Sequence, residues 1–208
     1  MRALVIYCHP RRESFTAAVL ARVLDALAAS GAEHRVSDLY DRGFESALSE
    51  DELAHYDDLD RNRDGRDGDI EDLLWADTLI FVYPTWWYGL PARLKGWLDR
   101  TLVPGVAFRM PDEETKTIRP GLTNITRIGV FTTCGASRWL TFLIGAPGKR
   151  TLLRGVRMIC APRCRTTFAA HYLMDSSTPE SRAAHLDRVS RRMTRFISAP
   201  ARSEEVPA

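Results

Sequence analysis

Three segments of the chain carry residue types that could do chemistry. The first, residues 8–16, leads into an amphipathic run that is typical of a helix. Free backbone amides and the positive end of a helix dipole attract anions, and His9, Arg11, Ser14 and Thr16 add side-chain donors. The pattern predicts a phosphate-binding loop, with an ordinary capped helix start as the alternative.

The second segment contains three consecutive aromatic residues, Trp86, Trp87 and Tyr88, preceded by Pro84 and Thr85. Three neighbouring side chains cannot all point into one core. We therefore expect part of the group to stack on a planar apolar ligand. Packing of one ring beneath the following helix is the alternative for at least one of the three.

The third segment is a small polar loop made of Thr132, Thr133, Cys134 and Gly135. Small residues let the backbone approach a ligand closely. The amides and hydroxyls of this loop also suit a negative charge that develops on a ligand. A phosphate loop, an aromatic wall and a small polar loop at one sheet edge together describe a flavin pocket.

The elements around these loops alternate between strand-like and helix-like runs. Ser14 is the expected N-cap of the first helix, and Pro91 is expected at the first helical position of the second. Strands are predicted at residues 3–7, 34–39, 76–83, 127–132 and 156–161, and helices at 15–29, 91–102, 137–153 with a break at 147–148, and 183–197. This alternation predicts an α/β fold with a doubly wound five-stranded parallel sheet, whose ligands bind beyond the carboxyl ends of the strands.

Several motifs resemble the flavodoxin-like NAD(P)H:quinone oxidoreductase family, which includes ancillary flavoproteins of bacterial potassium-efflux systems and drug-activity modulator quinone reductases. They are His9-Pro10 with Ser14-Phe15, Pro84-x-Trp-Trp-x-Gly-x-Pro91, Leu94-Lys95-Gly96-Trp97-x-Asp99-Arg100, Gly105-x-Ala107-Phe108 and Thr132-Thr133-x-Gly135. The resemblance covers residues 3–198 and is carried most specifically by the middle motifs. It implies a flavodoxin-like sheet with strand order 2-1-3-4-5.

The resemblance also implies a homodimer that binds FAD or FMN, with FAD slightly preferred, and NAD(P)H as a transient co-substrate. A hydride would pass from NAD(P)H to the flavin, and a quinone or similar electrophile would then take two electrons in a ping-pong reaction. The residues that it assigns to the flavin are His9, Phe15 and Thr16 for the phosphate or ribityl portion, residues 84–88 for the wall of the ring, and Thr132, Thr133 and Gly135 for its pyrimidine edge.

Two departures from the family pattern bear on catalysis. Members often carry Gly-Gly where this chain has Cys134-Gly135, and some carry a downstream tyrosine and histidine that contact the substrate. Pro147 stands at the place of the histidine, and Trp139 is the nearest aromatic residue. Tyr88 and Trp139 are therefore the candidate catalytic residues, while the flavin carries the chemistry. A flavoprotein that regulates a transport system and a flavodoxin-type electron carrier remain the alternatives.

Length and composition indicate one globular domain. The chain has 208 residues, of which 45% are hydrophobic and 27% charged. We expect the domain to span residues 1–198 and residues 199–208 to form a flexible tail. A net charge of +2 favours neither a nucleic-acid binder nor an acidic electron carrier. Because we find no membrane-length apolar run and no signal peptide, we expect a cytoplasmic protein without membrane insertion.

A calcium-loop-like segment, the cysteines and the arginines of the last helix have simpler interpretations than a functional site. Residues 60–71 fit the spacing of a calcium-binding loop, but Asp67 occupies its usually apolar eighth position. We therefore expect residues 50–77 to form a mobile acidic loop, and we predict no metal site. Cys8 lacks the arginine that a tyrosine phosphatase requires at position 14. The four cysteines are expected to be reduced, and the arginines of the last helix to form a solvated basic face.

Overall fold

A five-stranded parallel sheet forms the centre of the computed structural model, which describes residues 1–113 and 115–199. The strands in chain order are β1 (Arg2–Tyr7), β2 (Glu33–Asp38), β3 (Thr78–Thr85), β4 (Phe108–Arg109), β5 (Arg119–Pro120), β6 (Arg127–Cys134) and β7 (Arg165–His171). The sheet order β2-β1-β3-β6-β7 confirms the predicted 2-1-3-4-5 topology, while β4 and β5 form a separate antiparallel pair. Except for Ala199, the predicted tail lies outside the described residues.

Helices cover both faces of this sheet. They are α1 (Phe15–Ala29), α2 (Glu50–Ala54), α3 (Asp67–Trp75), α4 (Ala92–Thr101), α5 (Arg138–Leu143), α6 (Pro147–Arg150) and α7 (Pro179–Ser198). Helix α6 continues into a π-helical turn (Thr151–Val156), and a 3₁₀ turn (Met174–Ser176) follows β7. No described helix combines the length and apolar character needed to cross a membrane.

The core has two layers because the central strands are buried on both sides. Val5, Val82 and Phe131 face α1 and α7, whose buried positions recur at helical spacing. Phe81 lies on the opposite face, where its ring meets the fully buried Trp97 of α4 edge-on at a centroid distance of 6.3 Å. The sheet is therefore held rigidly from both sides, and the loops at its carboxyl edge extend from fixed strands.

The fifth strand was predicted wrongly at residues 156–161. In the structure this segment ends the π-helical turn, and the fifth strand is β7. Val156, Ile159 and Cys160 are spaced by three and four residues, which is the helical period. Strand β7 is an edge strand that begins with Arg165, so its composition hides the alternation of a buried strand.

The acidic segment was also predicted wrongly as a mobile loop. It contains α2 and α3, and Ile70 and Leu73 of α3 are buried in the core. Ser49 and Glu52 form a reciprocal capping box at the start of α2. Two further boundaries differ, since Pro91 is the N-cap of α4 rather than its first residue, and Pro147 begins α6 directly after a left-handed Ala146 (φ 47°).

Candidate active site

The three loops predicted to carry chemistry meet at the carboxyl edge of the sheet. Thr16, at the start of α1, lies 3.1 Å from Thr133 between their hydroxyl oxygens. The hydroxyl oxygens of Thr85 and Thr132 lie 2.8 Å apart across β3 and β6. These two contacts join residues that are more than 40 positions apart in the sequence. The loops thus form one polar site.

A cleft of about 700 Å³ opens between the second and third loops. This volume lies in the range of small-molecule and cofactor sites. Its lining includes seven residues predicted from the sequence, namely Pro84, Thr85, Trp86, Trp87, Thr133, Cys134 and Gly135. Met174 and Asp175, from the turn after β7, complete the lining and were missed. Applied to the correct fifth strand, the rule that ligands bind after strand ends would have found them.

The first loop positions donors beside this cleft without lining it. Nδ1 of His9 lies 3.0 Å from both the amide nitrogen and the carbonyl oxygen of Arg11, so this ring nitrogen is held by the Arg11 backbone. Burial lowers the pKa of His9 below its usual value. Ser14 is committed to the helix, because its hydroxyl accepts from the Ala17 amide at 3.1 Å. The amides of Phe15 and Thr16 have no intrahelical partner and remain suited to an anion.

Phe15 packs inward against two histidines. Its ring meets that of His171 at a centroid distance of 5.2 Å and that of His185 at 6.0 Å, while the two histidines are themselves 5.2 Å apart. Burial lowers the pKa of His185 to about 4, with further lowering by the nearby His171 and Arg188. The cluster is therefore neutral at pH 7 and fixes the start of α1 against β7 and α7.

The aromatic segment forms a tight turn on strained backbone. Trp87 and Tyr88 have φ angles of 48° and 61°, and the Gly89 amide donates to the Trp86 carbonyl at 2.9 Å. Two left-handed central residues define a type I′ turn, in which asparagine and glycine are the usual residues. Trp86 is 42% exposed and Trp87 is 95% exposed. The Trp87 indole therefore lies at the cleft on left-handed backbone and is not packed in the core.

Helix α6 supports this turn from behind. The Gly148 amide approaches the Tyr88 carbonyl oxygen at 3.4 Å. A Cβ at Gly148 would lie 3.1 Å from the carbonyl carbon of Gly89, so only glycine allows this close approach without displacement. Tyr88 lines a small cavity beside the cleft together with Thr132 and Cys134. The other candidate catalytic residue, Trp139, lines neither space and is 69% exposed on α5.

The third loop is packed closely against the turn after β7. A Cβ at Gly135 would lie 3.1 Å from Oδ2 of Asp175, and the Leu173 amide donates to the Ala136 carbonyl at 3.3 Å. Thr132 and Thr133 are almost fully buried, and the Cys134 sulfur lies 3.7 Å from the Thr141 hydroxyl. The loop therefore presents small polar groups in a fixed arrangement.

Two alternative sites receive no support from the geometry. Cys8 is fully buried, and desolvation raises the pKa of its thiol to about 12, so it is not a thiolate nucleophile. In the calcium-like loop, the Asn62 amide donates to the carbonyls of Tyr56 and Pro104 and serves the fold of that segment. Over residues 1–113 and 115–199, no group of three or more candidate ligands is placed to hold a metal ion.

The strand order defines a doubly wound α/β protein, with a polar, aromatic-rimmed cleft beyond the strand ends. Residues 1–194 match the Flavodoxin_2 family, described as having a flavodoxin-like fold. The chain belongs to this family. The match confirms the resemblance that its loop motifs predict.

Three relatives illustrate the similarity. An uncharacterized NAD(P)H oxidoreductase of Haemophilus influenzae is 30% identical over 169 residues, which cover 77% of this chain and 78% of that protein. Ribosyldihydronicotinamide dehydrogenase (quinone) of Pongo abelii is 35% identical over 127 residues, and the match spans about half of each chain, 53% and 54%. The structure of an NAD(P)H:quinone oxidoreductase from Methanothermobacter marburgensis superimposes with a TM-score of 0.78 at 25% identity, covering 96% and 98% of the two chains.

Proposed function

We propose that this protein is a flavin-dependent NAD(P)H oxidoreductase that transfers a hydride from NAD(P)H, through a bound flavin, to quinones or similar electrophiles. The relatives named above are oxidoreductases that use nicotinamide nucleotides or act on quinones by name, which supports the reaction class. NAD(P)H and the acceptor would use one cleft in turn, as a ping-pong reaction requires.

One observation carries the proposal. Trp87 holds a 95% exposed indole on left-handed backbone at the mouth of a 700 Å³ cleft. Exposure of a large aromatic ring and backbone strain both cost free energy, and no described contact of this ring offsets them. A planar aromatic guest that stacks on the turn would supply the missing contact, and the isoalloxazine ring of a flavin has this shape.

The remaining residues fit the polar parts of a flavin. The amides of Phe15 and Thr16, Nε2 of His9 and the exposed Arg11 would bind the phosphate portion, because amide, imidazole and guanidinium groups can each donate to an anion. The Thr132 and Thr133 hydroxyls and the backbone of Gly135, which lines the cleft, would meet the polar edge of the ring. The same donors serve FAD and FMN, so the cofactor is a flavin of either kind, and the preference for FAD remains a sequence-based prediction.

When bound, a flavin supplies two-electron chemistry between nicotinamide and quinone. The chain's own contribution is to hold and orient the flavin and the substrate and to exclude water from them. The hydrogen bonds between Thr16 and Thr133 and between Thr85 and Thr132 fix the loops relative to the sheet. Loop amides that face a developing negative charge would stabilise it without reorganising. Tyr88, held on the strained turn, is the candidate proton donor at the adjoining cavity.

We propose that two copies of the chain associate through α5. This helix exposes Trp139 (69%), Phe142 (79%) and Leu143 (62%) on the surface beside the aromatic turn. Such a contiguous apolar face is typical of a protein interface. A second copy would cover it and would narrow the cleft entrance. We expect the enzyme to act in the cytoplasm, where its four free cysteines would stay reduced.

Initial-rate kinetics test the proposed reaction. The purified protein, loaded with FMN or FAD, is assayed for NADH and NADPH oxidation at several concentrations of a simple benzoquinone. Parallel lines in double-reciprocal plots are expected for ping-pong transfer. Intersecting lines would contradict the shared cleft, and rates no higher than those of free flavin would contradict the enzymatic function itself.

A further inference from the structure

A groove of about 590 Å³ lies at the outer edge of the sheet, along the edge strand β7 and helix α7. Seven of its lining residues are arginines, namely Arg157, Arg163, Arg165, Arg188, Arg191, Arg192 and Arg195. The other lining residues within the described chain are Cys164, Thr166, Thr167, Phe196 and Ala199, none of which is acidic. We call this surface the arginine groove.

Several arginines outside the groove form ion pairs with acidic residues. Arg66 and Arg100 both pair with Glu52, and Arg42 pairs with Asp69. By contrast, none of the seven groove arginines forms an ion pair with another residue of segments 1–113 and 115–199. The four from α7 are spaced at i, i+3, i+4 and i+7 on one helix face, where like charges repel. A multivalent anion would relieve that repulsion.

The turn before β7 holds two more of these side chains in place. The Cys164 amide donates to the Ala161 carbonyl at 3.0 Å, with Pro162 and Arg163 as the central residues. Arg163 has a φ of 61°, where a turn of this pattern usually places glycine. Arg157 donates through Nε to the Cys164 carbonyl at 2.9 Å, which orients its terminal nitrogens. Arg163 therefore adopts a strained left-handed backbone at a position where glycine would not be strained.

The Cys164 thiol lies among these arginines. The pKa of this thiol is lowered mainly by its neighbour Cys160 and further by the charges of Arg157 and Arg127, against the raising effect of burial. Of the two arginines, only Arg157 lines the groove, so a single groove guanidinium acts on this buried sulfur.

We propose that the arginine groove is a binding site for an oligophosphate, a compact ligand with several adjacent phosphate groups, either free or carried by a nucleotide. Guanidinium groups bind phosphate oxygens through paired hydrogen bonds and stay charged at all relevant pH values. The Thr166 and Thr167 hydroxyls add neutral donors. A single strand of nucleic acid would need exposed aromatic rings for base stacking, whereas the groove's Phe196 is only 6% exposed.

The groove and the cleft share no lining residue. Arg165 begins β7, whereas the cleft lies beyond the carboxyl end of this strand, so about 20 Å separates the Arg165 end of the groove from the cleft. At its other end Arg188 lies near His185, behind Phe15. Phosphate binding in the groove therefore needs no residue of the cleft.

Calorimetric titration of the full chain with sodium tripolyphosphate tests the proposal. We expect saturable 1:1 binding that weakens as salt is raised. The double variant Arg191→Gln/Arg195→Gln should bind at least about tenfold more weakly for each charge removed. The control Arg22→Gln/Lys116→Gln removes the same charge from exposed sites outside the groove and should bind like the wild type. Thermal melts of both variants should match the wild type, since all four substituted side chains are exposed.

Three results would overturn the proposal. They are the absence of saturable binding below millimolar tripolyphosphate, an equal loss of affinity in the two double variants, and tighter binding of a single-stranded oligonucleotide than of any oligophosphate. Parallel titration with ATP distinguishes the sources of the phosphates. Tighter binding of ATP than of tripolyphosphate identifies a nucleotide site, and the reverse order identifies a site for free oligophosphate.

Discussion

Replacing Trp87 by glycine should separate the stability of the fold from its affinity for a flavin. Its indole is 95% exposed, so the substitution removes almost no buried area, whereas truncation of a buried tryptophan costs about 3–5 kcal/mol. The left-handed backbone at Trp87 costs a non-glycine residue roughly 1 kcal/mol, and glycine removes this strain but adds an entropic cost of similar size. The free energy of unfolding should therefore change by less than about 1 kcal/mol. Loss of a stacking contact of about 1.5 kcal/mol should weaken flavin binding roughly tenfold.

Urea unfolding of the flavin-free protein and fluorescence titration with FMN and FAD measure the two quantities. Trp87→Phe keeps a ring for stacking and should retain most of the affinity. Trp97→Ala removes a fully buried indole and gives the scale of a core substitution. An unfolding free energy lowered by more than about 2 kcal/mol in Trp87→Gly would place the indole in the core. Unchanged flavin affinity would refute the aromatic wall.

Three further predictions concern pH, loop coupling and assembly. Since burial lowers the pKa of His185 from 6.5 to about 4, the unfolded chain binds the proton more readily. The free energy of unfolding should then fall by up to roughly 3 kcal/mol as pH drops from 6.5 to 4. The variant His185→Phe should flatten this pH profile. An unchanged slope in that variant would show that another group causes the pH dependence. Thr133→Val should lower the free energy of unfolding, measured in urea, by about 1 kcal/mol, and by much less when Thr16→Val is already present. Additive losses in the double variant would show that the two hydroxyls do not interact. Phe142→Asp should convert a dimer to a monomer in sedimentation velocity, while Met158→Asp, at a similarly exposed apolar position outside α5, should leave it a dimer. A dimer in both variants would contradict the proposed interface.

The sheet was predictable because its central strands are buried on both faces. Strands β1, β3 and β6 are largely continuous apolar runs in the sequence. Helices α1 and α7 were predictable from their capping residues and from the helical spacing of their apolar residues. Edge strand β7 is not a continuous apolar run, because its first three residues are polar and line the arginine groove. It could therefore not be recognised in the same way. The acidic helix α3 was missed because only two of its apolar residues, Ile70 and Leu73, are buried, and four of its nine residues are acidic.

Seven of the nine residues that line the cleft were named from the sequence, but the geometry of the cleft was not. Parallel strand ends must share an edge, so the meeting of the three loops follows from topology alone. The type I′ turn at Trp87 and Tyr88 contradicts ordinary turn preferences, and tertiary support from Gly148 explains how it is held. Asp175 belongs to the loop after β7, so its place in the cleft could not be predicted once that strand had been misplaced.

The visible spectrum of the purified protein, supplied with FMN or FAD and recorded before and after anaerobic addition of NAD(P)H, tests whether the cleft binds a flavin that NAD(P)H reduces. We expect retention of a flavin spectrum after gel filtration and its bleaching by NADH or NADPH. A retained spectrum that neither nucleotide bleaches would contradict the oxidoreductase function. Failure to retain either flavin would contradict the assignment of the cleft itself.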